Sequence, residues 1–173
     1  GKVKIDGKTV TIEGKDGEKI TANLEKGEDG KITTTVTNKK GEVAKWTADG
    51  KKMTMETAEG TAEWGAAKIP DGFPLPVIDG AKIVSAASST LKKKGTMYHV
   101  ALTVKKAANE VADFYETALE KEGLSVQRTE HKMAEANMVM LNGRKGEKVH
   151  AAVNISGRPG KDEVTVMINW TQK

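Results

Sequence analysis

Apolar and polar residues alternate at period two through the first 65 positions, interrupted at intervals by Gly-containing turns. A chain patterned this way folds into short antiparallel strands, because successive side chains of a strand point to opposite faces. The spacing predicts strands at 9–13, 19–25, 31–37, 43–48, 52–58 and 61–64, with turns at 14–17, 27–30, 39–41, 49–50 and 59–60. Val10, Ile12, Ile20, Leu24, Ile32, Val36, Trp46, Met53, Met55 and Trp64 share one face, and Thr, Lys and Glu fill the other. Asp6-Gly7, Asp16-Gly17, Asp29-Gly30 and Asp49-Gly50 supply residues that tolerate positive φ in tight hairpins. Large apolar residues are sparse here, so this meander needs support from outside itself.

Residues 66–80 break the alternation. Pro70, Pro74 and Pro76 fall here beside Ile69, Phe73, Leu75, Val77 and Ile78. The prolines dictate an extended connector, and its apolar residues a packed one. A domain boundary is expected at this segment. From residue 81 the pattern changes to two strands, one helix and four more strands. Val111, Tyr115, Ala118 and Leu119 repeat at helical spacing, which places the helix near 107–122, with Gly123 as its stop. Strands are expected at 83–87, 97–104, 124–131, 134–142, 148–155 and 163–170. Their inward residues include Val100, Leu102, Val153, Ile155, Val166, Ile168 and Trp170. The fold class is therefore mainly β to α+β: a β-meander over 1–65, a Pro-rich connector over 66–80, and an antiparallel sheet with one packed helix over 81–173. The run Met138-Val139-Met140-Leu141 is apolar on both faces, so the sheet needs cover on the side away from the helix. The leading hairpins or a second subunit are expected there.

Three stretches carry a resemblance: Ile69-Pro70-Asp71-Gly72-Phe73-Pro74-Leu75-Pro76, then Asp79-Gly80-Ala81-Lys82-Ile83, then Val111-Ala112-Asp113-Phe114-Tyr115 with Ala118-Leu119 and Gly123-Leu124. Together they resemble a family of uncharacterised bacterial exported proteins, many of them lipoprotein-like, over about residues 69–124. The resemblance implies a periplasmic or outer-surface location, with a lipid anchor in some precursors, and it implies no activity. The chain opens on Gly rather than Met, which fits a removed export signal or lipid anchor. Similar proteins often place Ser-Pro or Asp-Ser before the helix, where this chain has Lys105-Lys106-Ala107.

No arrangement of residues points to a reaction or a cofactor. Cysteine is absent, which removes thiol chemistry and Cys-ligated zinc. Ser85, Ser88 and Ser89 lack any nucleophile motif and are expected at a strand end and loop. His99, His131 and His150 share strand parity away from the helix, a weak candidate metal or hydrolytic set. Met97, His99, Val139, Leu141 and Met167 form a candidate partner face. Charge is uneven, at −1 over residues 1–79 and +5 over 80–173. That makes Arg128, Arg144, Lys145 and Arg158 candidate contacts for an anion or an envelope polyanion. Few aromatics accompany these cations, which weighs against nucleic acid. No apolar run reaches membrane-spanning length. The leading expectation is a non-enzymatic exported binding or structural module at the cell envelope, with a protein partner or self-association. The alternatives are a carrier of a small apolar or anionic ligand held between sheet and connector, and a hydrolase or metal binder using the surface histidines.

Overall fold

The computed structural model describes residues 2–13, 19–38, 40–49, 52–65, 68–133, 136–158 and 160–173. The turn expected at 14–17, and parts of those at 39–41 and 49–50, lie outside the described residues. The strands are β1 (Lys2–Asp6), β2 (Thr9–Glu13), β3 (Lys19–Lys26), β4 (Ile32–Thr37), β5 (Val43–Ala48), β6 (Lys52–Thr57) and β7 (Gly60–Gly65). After a non-strand segment come β8 (Lys82–Leu91), β9 (Gly95–Val104), the helix α1 (Ala108–Lys121), β10 (Ser125–Lys132), β11 (Asn137–Lys145), β12 (Val149–Gly157) and β13 (Val164–Gln172). All thirteen strands join one antiparallel sheet in the order β1-β2-β3-β4-β5-β6-β7-β8-β9-β13-β12-β11-β10. β1 was not among the expected strands, although Val3 and Ile5 alternate with Lys2, Lys4 and Asp6 as Val10 and Ile12 do with their neighbours in β2; all five of its residues are exposed.

Cross-strand partners in an antiparallel pair share a face, so the register fixes which residues lie together. On the front face, Leu102 pairs with Val166, Val166 with Ile155, and Ile155 with Val139. All four are buried beneath α1 or the segment at 68–81. α1 packs through Val111, Ala112, Tyr115, Ala118 and Leu119. It starts without a side-chain cap at Ala107, and the Lys106–Glu110 ion pair braces its first turn. It ends in a Schellman motif: Gly123 at φ +79° lets Leu124 N–H donate to the Leu119 carbonyl at 3.1 Å and Gly123 N–H to Glu120 at 2.8 Å. The Pro-rich segment also lies on the front, with Leu75 and Ile78 buried in the core and Phe73 edge-on to Tyr98 at 5.8 Å.

The rear face departs from expectation. The leading hairpins do not fold beneath the helix-bearing sheet; they extend it edge to edge through the β7–β8 ladder. The rear is therefore open within a single chain, and β1–β7 form one layer exposed on both sides. The accessible surface is 11427 Å², against roughly 8,000 Å² for a compact protein of this mass. Two strands run past their expected ends: β11, expected to stop at 142, continues through Gly143, Arg144 and Lys145, and β8, expected to stop at 87, takes in Ser88 and Ser89. In both places ladder hydrogen bonds override the turn preference of Gly and Ser.

Gly60 matters at the junction. A Cβ there would meet the Thr90 carbonyl oxygen at 1.9 Å, a backbone atom that cannot swing aside. Gly60→Ala is expected to cost at least about 2 kcal/mol. Hydrogen exchange should then show protection lost in β1–β7 before β9 and β11–β13.

Candidate functional site

Above the front core, the 68–81 segment and α1 meet along a cleft of about 400 Å³ lined by Pro76, Asp113, Phe114, Thr117, Ala118, Lys121 and Glu122. Phe114, Ala118 and Pro76 supply its apolar walls, while Asp113, Lys121 and Glu122 supply charge. Phe114 stands edge-on to Tyr115 at 5.0 Å, which links the cleft to the layer beneath.

That layer holds two polar atoms with no hydrogen-bond partner, the Tyr115 hydroxyl and the Trp170 indole Nε1. Tyr115 projects from α1 into the core with no exposed surface. Burial pushes its phenol up to about 12; the backbone of Ile78 acts in the opposite direction without forming a hydrogen bond of normal geometry. Trp170 pairs across the ladder with Tyr98, the ring that Phe73 covers. Both orphaned groups thus belong to the region roofed by the 68–81 segment. An unsatisfied buried group of this kind costs about 1–3 kcal/mol, so retaining two in one layer marks a place where a bound molecule could supply the partners. No signal in the sequence separated Trp170 and Tyr115 from ordinary core aromatics.

The candidate cations do not gather. Arg128 lies on the front of β10, where it meets Asp113 at 2.6 Å, Glu116 at 3.0 Å and Glu130 at 2.8 Å. Three carboxylates hold its guanidinium firmly charged and occupy its donors, so it is not an open anion contact. Lys145 donates to the Glu122 carbonyl at 3.0 Å and so helps close the helix C-terminus. Arg144 faces the rear opposite His150. Arg158 lies at the far end of the sheet, beside Lys161 and Glu163 in an open cleft of about 490 Å³.

The partner face divides as well. Met97, His99 and Met167 lie on the rear, but Val139 and Leu141 are buried on the front beneath α1. The one-residue alternation within β11 separates them: Met138 and Met140 are its rear residues. His99, His131 and His150 do share the rear face. From ladder spacings, however, His99 and His150 are about 12 Å apart and His131 about 20 Å from His150. His99 Nδ1 is paired with Asn169 Oδ1 at 2.8 Å. The constellation that a histidine hydrolase or metal site requires is therefore not assembled. Among the described residues no group of three or more His, Asp or Glu could hold a metal ion, and no helix is long and apolar enough to cross a membrane.

Arg128→Ala would leave Asp113, Glu116 and Glu130 facing one another. A loss of about 1 kcal/mol at low salt is expected, shrinking in 0.5 M salt as the carboxylates are screened. Arg144→Ala, measured alongside by denaturant titration, should change little.

A family model described as START domain-like matches residues 83–172, a little over half of the chain. The match begins within β8, ends at the last residue of β13 and includes α1. No curated protein and no solved structure matches the chain.

Proposed function

Since the chain belongs to the START domain-like family, whose domains are generally binding modules, we propose that it is a non-catalytic carrier of a small apolar ligand bearing a polar group. The ligand would enter at the cleft between the 68–81 segment and α1. Its apolar part would rest against Pro76, Phe114 and Ala118, and its polar group would partner Tyr115 and Trp170 once the roofing segment shifts. The two unpaired buried groups beneath that roof carry the reading, because a core built only for stability would satisfy them or replace them with apolar rings.

A cellular location follows from the proposal only through the likeness of residues 69–124 to exported proteins. We place the carrier at the cell envelope on that ground. Fractionation of cells expressing the protein from its native gene tests it, and recovery in the cytosol would remove the envelope from the reading.

Binding of anilinonaphthalene sulfonate, which joins fused rings to one anionic group, tests the site. Thr117 is exposed at the cleft wall, so Thr117→Trp should fill the cleft without unfolding the chain and weaken binding at least about 10-fold, or 1.4 kcal/mol. Unchanged binding would remove the cleft from consideration.

Tyr115→Phe gives a second readout. Deleting an unsatisfied hydroxyl should leave the empty chain as stable or up to about 1 kcal/mol more stable, while weakening the probe. The alkaline limb adds a sign. Because burial raises the folded-state phenol from 10.0 to about 12, its contribution is complete below pH 10 and is lost as pH climbs towards 12. The wild type should lose roughly 2–3 kcal/mol through this group across that window. Tyr115→Phe should lack that part of the decline in thermal melts.

A further inference from the structure

We infer that the rear face of β1–β7 is the interface of a homodimer in which two copies pack sheet against sheet. On the rear of these seven strands eight large apolar residues remain 40–71% exposed, among them Ile5, Ile12, Leu24, Ile32, Met53 and Trp64, while a ninth, Val43, lies on the front opposite Thr37. The register brings them to one continuous surface: Ile5 pairs with Val10, Ile12 with Ile20, Leu24 with Thr34, Thr34 with Trp46, Trp46 with Met55, and Met53 with Trp64.

Charge is sorted with the same regularity. Every carboxylate borne by these strands, at Asp6, Glu13, Glu25, Glu56 and Glu63, falls on the front. Among the described residues of these strands the rear carries a single charge, Lys26 at the last position of β3, from which its ammonium reaches solvent past a partner. Joining two such faces would desolvate no carboxylate.

The area fits a second copy. Taking about 150 Å² for each fully exposed large apolar residue, near the lower bound for an aromatic one, the eight present roughly 600 Å². The half-buried Val10, Val36, Trp46 and Met55 add to it, approaching the about 800 Å² per partner of a stable interface. Two flat faces at about 10 Å separation interdigitate their side chains as in a β-sandwich, and a two-fold arrangement needs only the surface each copy already has. An anionic lipid surface fits less well, since only Lys26 faces outward from this side and the front carboxylates are matched by Lys2, Lys4, Lys19, Lys45 and Lys52.

Sedimentation equilibrium from about 1 to 100 µM tests the proposal, with acrylamide quenching of tryptophan emission over the same dilution series. The expected result is a reversible dimer in which Trp46 and Trp64 become shielded as mass doubles. Ile32→Glu with Met53→Glu should weaken the association at least 100-fold with unchanged far-ultraviolet ellipticity. If that variant does not fold, the wild-type mass and quenching series decide alone. A monomer throughout the range overturns the proposal. So does a dimer whose tryptophans stay accessible at every concentration. Shielding that appears only with phosphatidylglycerol vesicles also overturns it, and assigns the face to lipid.

Discussion

One-sided burial governs this molecule. The front of β8, β9 and β10–β13 is closed by α1 and the 68–81 segment, and among the described residues every buried hydrophobic one except Ala62 belongs to that single cluster. Everything else is tied to this core through backbone ladders. The β7–β8 pairing passes order from a packed double layer to a single layer whose own strands bury almost nothing. Hydrogen bonds exchanged for water contribute only about 1 kcal/mol each, so β1–β7 rely on their cooperative attachment to β8. Gly60, where the backbones of β7 and β8 approach too closely for any Cβ, is the narrowest point of that attachment.

The sequence made the strand faces readable because alternation survives burial. The ten large residues assigned to one N-terminal face do share the rear, and Val100, Leu102, Val153, Ile155, Val166, Ile168 and Trp170 do lie in the front core. The helix was legible from Val111, Tyr115, Ala118 and Leu119, and its end from Gly123. Hidden from it was the relation between the two halves. Alternation fixes a face within a strand but says nothing about whether the next sheet stacks below or continues at the edge. The rear was expected to be sheltered by the leading hairpins or a second subunit, and edge continuation removes the hairpins from that role.

The candidate site was less legible, because pairing between distant residues decides it. Arg128 reads as a free cation until β10 brings it beneath Asp113 and Glu116 of α1. Val139 and Met140 are neighbours in sequence but occupy opposite faces. Tyr115 and Trp170 look like good core residues by periodicity; only their missing partners, visible once the roof of 68–81 is in place, distinguish them. Local pattern reports where a side chain points, and the chemistry it meets there depends on which strand arrives beside it.

Each of β1–β7 pairs only with strands adjacent in the chain. Order can spread outward from β8 one hairpin at a time, each step closing a short loop. The tail is in this respect an extendable ruler: gaining or losing a hairpin would alter its reach while leaving the helix-bearing end untouched. Length and binding chemistry could then evolve as separate variables within one polypeptide.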